Sequence, residues 1–348
     1  MSVQPFVDLR SDTVTLPTPE MKAFMINAPL GDDVLGEDPT VRELEQYTAR
    51  ITGMESALFV PSGTMANQIA VRVYGGPGTE ILVVDQSHVF FYEGGGAAGL
   101  SGTQIHIVPA MNGLFDVESF RARIRREDDH FPETRLFWIE NTHNRGGGAI
   151  VPLDRMMMLR KLSIESGVPV HMDGARLVNA AIATGVSLDA WAAQVDSLSL
   201  CLSKGLGAPV GSLLAGSDAF IRRARKVRKM FGGGMRQAGI IAAAGLYAFM
   251  HHMERLADDH RNARLLRDLL AGLSGLTVPD RVDTNMVMID LDPALPIDAQ
   301  SMQEALEQNG VAMFAIGPRR LRAVTHLGIT ESDIIATAEA FRKLIPAA

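Results

Sequence analysis

Val168-Pro-Val-His-Met-Asp173-Gly-Ala-Arg176 and Asp196-Ser-Leu-Ser-Leu-Cys-Leu-Ser-Lys204-Gly205 are the two stretches on which the fold turns. Each is a near-continuous apolar run that ends in a group able to do chemistry, a carboxylate in the first and an amine in the second. Such runs mark strands buried on both faces of a mostly parallel sheet. A side chain at the carboxyl end of such a strand points into the crevice where these sheets bind ligands. Lys204 follows Asp173 by 31 residues, room for one helix and one strand.

Similar runs recur at 57–60, 81–84, 105–108, 136–139 and 212–215, and helical patterns at 65–73, 117–126 and 153–166 alternate with them. Upstream, Thr18-Pro19-Glu20 reads as an N-cap, a proline in the first turn and an acid beside it. A second helix is expected over 40–52, with Val41, Leu44, Thr48 and Ile51 on one face and Gly53 as its stop. From about 217 to about 273 the pattern is helical. Beyond it come a strand-like run at 286–291, a helix at 299–308, a strand-like run at 321–324 and a helix at 331–344. The expectation is an α/β protein: a large domain over 1–250, including an N-terminal arm, and a smaller α/β domain over 251–348.

Composition narrows the function. The chain has 348 residues, 47% hydrophobic and 21% charged, ample for a core. Its net charge of −7 argues against a nucleic-acid scaffold. The single cysteine, Cys201, leaves no intrachain disulfide to form, so nothing asks for an oxidising compartment. The longest apolar run, thirteen residues at 238–250, falls short of the roughly 20 a membrane span needs. No export signal is legible at the N-terminus, and the cytoplasm is the expected location.

Several motifs point elsewhere and fail on context. Gly94-Gly-Gly-Ala-Ala-Gly99 matches G-x-G-x-x-G, but no strand precedes it and Asp116 opens a helix, so a tightly packed small-residue segment is the better reading. Residues 222–229 carry six basic side chains in eight, mostly a solvated helix face. His171, His251 and His252 lack companions at metal-ligand spacing, and no metal is expected. Asp32-Asp33 and Glu37-Asp38 lack the EF-hand spacing and read as loop acids and caps.

A third stretch completes the constellation. Phe59-Val-Pro-Ser62-Gly63-Thr64-Met-Ala-Asn67 reads as strand, tight turn and helix start, which aims free backbone N–H groups at an anion such as phosphate. It has no Walker lysine, so a nucleoside triphosphate is not its natural guest. A lysine at the mouth of an apolar crevice loses hydration of its ammonium form and becomes a candidate Schiff-base amine. A phosphate cradle, a reactive lysine and a carboxylate at strand ends match the needs of pyridoxal phosphate: the lysine carries the aldehyde, and the carboxylate keeps a proton on the pyridine nitrogen.

With these residues in place the chain resembles the low-specificity L-threonine aldolases, in the aromatic amino acid β-eliminating lyase/threonine aldolase group of fold-type-I pyridoxal-phosphate enzymes. The resemblance covers nearly the whole chain. It is carried by Asp8-Leu-Arg-Ser-Asp-Thr-Val-Thr15, Gly31-Asp-Asp33, Gly36-Glu-Asp-Pro-Thr-Val41, Pro61-Ser-Gly-Thr64, His88, Glu140-Asn-Thr-His-Asn144, His171-Met-Asp-Gly-Ala-Arg176, Leu202-Ser-Lys-Gly-Leu-Gly207, Gly232-Gly-Gly-Met-Arg-Gln237 and Val324-Thr-His-Leu327.

The resemblance implies roles. Lys204 would bind the cofactor covalently, Asp173 would pair with the pyridine nitrogen and Arg176 would reach the ring hydroxyl. Ser62, Gly63, Thr64 and Ser203 would hold the phosphate, and His88 would lie flat on the ring opposite the lysine. Ser11 and Arg322 would grip the substrate carboxylate, a job that suits a planar guanidinium. Lys229 and Arg236 match positions near the phosphate, supplied by a neighbouring subunit of a homotetramer whose dimer is the active-site unit. One residue departs from the family pattern. Where relatives have tyrosine in Gly-Asp-Asp-Val-Tyr-Gly, this chain has Leu35, which removes a hydroxyl near the substrate and favours bulkier side chains.

The implied reaction cleaves Cα–Cβ of threonine, allo-threonine and related 3-hydroxy-2-amino acids to glycine and an aldehyde. A base must take the β-hydroxyl proton, and His88, His130 and a bound water are the candidates. The competing readings are β-elimination or transamination on the same fold, and a nicotinamide-binding or noncatalytic protein built on 94–99.

Overall fold

In the computed structural model, which describes residues 6–345, the seven apolar runs pair into one sheet. Its order is Ser56–Val60, Ser212–Gly216, Ser197–Cys201, Val170–Asp173, Glu133–Glu140, Thr79–Val84, Gln104–Val108. Only Ser212–Gly216 runs against its neighbours. The other six strands therefore finish along one edge, where Asp173 stands opposite Glu140 on one side and Ser199 on the other.

Successive residues of each strand enter opposite cores, as the twofold repeat of a strand requires. Phe59, Leu82, Val84, Phe137, Ile139, Met172 and Leu200 pack on one face, and Leu58, Val60, Ile81, Val83, Leu136 and Trp138 on the other. Burying one such side chain is worth about 1.5–3 kcal/mol. With apolar demand on both faces, strands such as Ser56–Val60 and Thr79–Val84 read as near-continuous apolar runs, whereas Ser197–Cys201 alternates because Ser197 and Ser199 are satisfied by hydrogen bonds to Tyr74, His171 and Asn67.

Local signals hold at the helix ends. Thr18 caps Pro19–Ile26, Asp38 caps Pro39–Thr52, and Gly53 ends the latter in a left-handed turn at φ 64°. Asp32 likewise accepts from the N–H groups of Val34 and Leu35, so these acids are caps. The helix expected over 117–126 stops at Arg121. Residues just beyond it are drawn to the sheet instead: Arg125 donates its N–H to Thr134 Oγ1 at 2.9 Å, and its carbonyl accepts from Thr134 N–H at 3.0 Å. The long helical stretch after 217 divides into Asp218–Met230, Gly239–His251 and Leu256–Leu270. Among the described residues, no helix is long and apolar enough to cross a membrane.

The C-terminal part builds its own antiparallel sheet in the order Leu276–Thr277, Met286–Leu291, Arg320–Val324, Phe314–Gly317. Its core includes Val287, Ile289, Leu306, Leu321, Ile334 and Phe341. Val7 and Leu9 belong to this core as well. Val7–Asp8 pairs in parallel with Val311–Ala312, and Leu9 accepts from Val324 N–H at 2.9 Å. The arm is thus tied to the small sheet, and the next residues, Ser11 and Asp12, are delivered to the cleft between the two sheets.

Candidate active site

Two adjoining cavities lie at the carboxyl edge of the large sheet and share His88, Asn144, Arg176 and Lys204. The inner one is lined further by Gly63, Thr64, Asn67, Glu140, Thr142, Asp173, Cys201 and Ser203. The outer one opens toward the small sheet and adds Ser11, Thr13, Tyr92, Arg145, Phe314 and Arg322. Three strand ends, one helix start and the N-terminal arm converge here.

The inner cavity has an anion cradle at one end. Ser62 caps Gly63–Tyr74, taking the N–H of Met65 on its hydroxyl and that of Ala66 on its carbonyl. A helix leaves its first N–H groups without intrahelical partners; those of Gly63 and Thr64 remain, at the cavity wall. Gly63 is required by close approach, because a Cβ there would fall 2.7 Å from Cys201 Sγ.

Asp173 sits deeper and is buried. It accepts from Ala175 N–H at 3.1 Å, Asn67 Nδ2 at 2.7 Å and, more weakly, Ser199 Oγ at 3.5 Å. All three donors are neutral, and among the described residues no cationic side chain forms an ion pair with it. A buried carboxylate without a cationic partner is costly, and this one faces the cavity. A ring N–H⁺ supplied from the cavity would complete it, so the residues present fit pyridoxal phosphate at both ends, phosphate at Gly63 and Thr64, pyridine at Asp173.

His88 is tied at two points. Its backbone N–H donates to Glu140 Oε2 at 2.6 Å, and its Nδ1 lies 2.8 Å from Glu93 Oε1. Burial works against the imidazolium, but the Glu93 hydrogen bond and the charges of Asp173, Glu93 and Glu140 outweigh it and raise the pKa above the usual histidine value. His88, Glu93 and Asp173 have the mutual spacing of metal ligands. The Asn67 amide, however, stands between the two carboxylates and donates to both at 2.7 Å, a donor where a cation would sit.

Arg322 spans the cleft. It donates to Asn144 Oδ1 at 2.9 Å and to the Arg10 carbonyl at 3.3 Å, while its buried Nε has no partner. Burial, with Arg176 nearby, holds it below the usual arginine range. Such a guanidinium is prepared for an added anion.

The structure gathers Ser11, Gly63, Thr64, His88, Asp173, Arg176, Ser203, Lys204 and Arg322 around these cavities; Ser62 caps the cradle from outside. Arg176 turns its Nε and NH2 to Asp12 and still lines both cavities. Four residues are not brought in. His130 is 83% exposed and pairs with Asp128, Leu35 is 67% exposed, and neither Lys229 nor Arg236 lines the cavities of its own chain. Arg236 pairs with Asp32 at 2.8 Å on the surface, next to the Leu35 turn. His171 is a core residue against Trp138, with Nδ1 on Ser197, and burial pushes it down to about 3.

Sequence reasoning gave no role to Asp12, Asn67, Glu93, Glu140 or Asn144. They are partners of functional side chains rather than strand-end groups. Asp12, Glu140 and Asn144 fall inside motifs that carry the resemblance, the only signal that marked them; Glu93 had none.

A family model described as beta-eliminating lyase matches residues 8–294. Low-specificity L-threonine aldolase 1 of Arabidopsis thaliana is 42% identical over 97% of this chain and 96% of its own length. Low specificity L-threonine aldolase of Escherichia coli K12 is 40% identical over 97% of this chain and 99% of its own. Among solved structures, the threonine aldolase of Leishmania major superposes with a TM-score of 0.85 over 98% of this chain and all of that one, at 18% identity, a likeness of fold. With Lys204, Asp173 and the Gly63 cradle at one sheet edge, the chain belongs to the low-specificity L-threonine aldolase family, within the beta-eliminating lyases.

Proposed function

We propose that the protein is a pyridoxal-phosphate-dependent aldolase that cleaves L-threonine, L-allo-threonine and related 3-hydroxy-2-amino acids at Cα–Cβ, giving glycine and an aldehyde. The observation that carries the reading is Asp173, a buried carboxylate with only neutral donors, facing a cavity that has Lys204 on its wall and an anion cradle at its end.

When bound, the cofactor supplies the electron sink that accepts the pair left by the broken Cα–Cβ bond. The chain does the rest. Lys204 Nζ would anchor the cofactor covalently, Asp173 would hold the proton on the pyridine nitrogen, and Gly63, Thr64 and Ser203 would hold the phosphate. Arg322 and Ser11 hold the substrate carboxylate in the outer cavity, which orients the Cα–Cβ bond. His88 would stack on the cofactor ring and is the histidine lining this cavity that could take the β-hydroxyl proton; a water is the alternative. On its own chain, His130 stands outside.

The same reading divides the enzyme into domains over 1–250 and 251–348, places it in the cytoplasm and makes it a homo-oligomer. Lys229, Arg236 and Leu35 then act on a neighbouring subunit's site. All three are exposed and lie away from their own cavities, Leu35 and Arg236 beside one turn and Lys229 at the end of Asp218–Met230, which supports this.

The test is product analysis with threonine, allo-threonine and phenylserine. Glycine plus the matching aldehyde supports the reading; ammonia plus a 2-oxo acid would instead identify an eliminating lyase. Asp173→Asn keeps the shape and loses the charge, and cleavage should fall on the order of 100-fold. Near-wild-type rates in that variant would make the acid structural only.

A further inference from the structure

We propose that Glu93 is a positioning residue for His88: its carboxylate decides which imidazole nitrogen carries the proton, turns the other toward the cavity, and is joined through Asn67 to Asp173 in one network. The proposal rests on the functional reading above only in taking this cavity as the reaction site.

Glu93 has a fully buried side chain with three partners. Its Oε1 faces His88 Nδ1 at 2.8 Å and accepts from Asn67 Nδ2 at 2.7 Å, and its Oε2 accepts from Gln68 Nε2 at 2.6 Å. An ionised carboxylate can only accept. His88 Nδ1 must therefore carry a hydrogen, which leaves Nε2 as the lone pair in the neutral ring. A carboxylate behind a histidine sets tautomer and orientation in the same way in many catalytic pairs.

Asn67 donates to Glu93 and to Asp173 with one amide group, and its Oδ1 accepts from Ser199 Oγ at 3.1 Å. Its orientation is fixed by that pattern. The His88 side of the cavity and the Asp173 side are thus held by a single side chain, itself buried.

The glycine-rich run at 94–99 acquires a purpose here. Gly94 and Gly95 take φ of 61° and 71°, turning the chain directly after Glu93. At Gly96 a Cβ would fall 2.6 Å from Gln68 Cδ, so only glycine lets Gln68 close on Glu93. The run that imitates a dinucleotide fingerprint backs this carboxylate.

The charged and titratable groups around His88 are Glu93, Asp173 and Glu140, with Arg176 and Lys204 on other walls of the same cavity and the Tyr92 ring at 5.4 Å. Glu93 is the one that touches the imidazole itself.

Glu93→Gln is the test. The variant is isosteric, and Gln68, whose Oε1 has no partner, can turn its amide to accept from the new NH₂. The first readout is the pH titration of His88 by NMR in the cofactor-free protein. Its midpoint should fall in Glu93→Gln; an unchanged midpoint overturns the proposal whether or not the protein cleaves threonine. The second readout is kcat with threonine, expected to fall roughly tenfold with KM little changed, and its acid limb should move to lower pH. The third uses His88→Phe, which keeps a flat ring and removes Nδ1. In that background Glu93→Gln should add no further loss of kcat; a loss as large as in the wild-type background shows that Glu93 does not act through His88. If Glu93→Gln does not fold, Glu93→Asp withdraws the carboxylate by one methylene, and its His88 midpoint should also fall; no change there is equally fatal. Loss of the functional reading itself would show differently, as a wild type that makes no glycine.

Discussion

The Arg176 guanidinium grips the Asp12 carboxylate with two hydrogen bonds, Nε to Oδ2 at 2.7 Å and NH2 to Oδ1 at 2.5 Å, and both side chains are buried. Asp12 belongs to the N-terminal arm that is fastened to the small sheet, and Arg176 follows the strand that ends in Asp173. The pair therefore joins the two sheets at the floor of the cleft.

Removing one partner of a buried pair leaves an uncompensated charge, at a cost of about 3–5 kcal/mol. Asp12→Asn is expected to lose that much in urea unfolding of the cofactor-free protein. Burial pushes the Asp12 carboxyl up, but the Arg176 charge and hydrogen bonds outweigh it and hold the group at about 2. Its native value lies below the unfolded one, so its contribution is complete above the ordinary aspartate range near 3.8 and is lost as pH falls through about 2. The wild-type stability owed to this pair should be flat from pH 5 upward, and the Asn variant should differ from wild type by a constant amount there. A difference that grows between pH 5 and 8 would assign the effect to another group.

Lys204→Ala should abolish cleavage and the covalent attachment of cofactor. Borohydride reduction of the wild-type holoenzyme followed by peptide mapping should place the label on Lys204, and the variant should take none. Residual aldolase turnover in the variant would move the anchor elsewhere.

Arg322→Lys keeps the charge and loses the planar fork. The Nε that lacks a partner and the contact with Asn144 both belong to the guanidinium. KM for threonine is expected to rise by roughly tenfold or more, the scale of a charged hydrogen bond, with cofactor affinity kept. Loss of cofactor with KM unchanged would place Arg322 at the phosphate.

How far the sequence reached follows from what sequence can encode. The strands of the large sheet, the caps at Thr18 and Asp38 and the strand-end groups Asp173 and Lys204 are local patterns, and they were legible. The strand Phe314–Gly317 and the pairing of Val7–Asp8 with Val311–Ala312 were not, because pairing partners far apart in the chain leave no local period. The same holds within the site. Glu93 and Asn67 act through contacts across 26 residues, and Asn67 reaches Asp173 across 106. Nothing in their neighbourhoods separates a buried network from a loop acid and a helix amide.

Leu35 stands on an exposed turn rather than in its own chain's cavity. An effect on substrate choice must therefore be exerted on another copy of the chain. Leu35→Tyr restores a hydroxyl worth about 0.5–1.5 kcal/mol, roughly threefold to tenfold, and removes apolar contact that favours bulky side chains. The ratio of phenylserine to threonine efficiency should fall by about that factor. An unchanged ratio would leave Leu35 a surface residue.

Arg236 sits beside that turn, its carbonyl accepting from Asp33 N–H at 2.9 Å and its guanidinium on Asp32. Its pairing with Asp32 is exposed, so little holds it there against a stronger anion. If it serves the phosphate of a neighbouring subunit, two inactive variants should repair each other. In a mixture of Lys204→Ala and Arg236→Ala chains, a hybrid dimer has one site with Lys204 from one chain and Arg236 from the other, and its second site lacks both. Random exchange of subunits between equal amounts should then restore about a quarter of the wild-type activity. Each variant alone should remain near its own low level. If Arg236 instead acted within its own chain, every site in every hybrid would lack one of the two residues, and mixing would restore nothing. The experiment needs no structure of the assembly, because the recovered fraction alone distinguishes a site built by one chain from a site built by two.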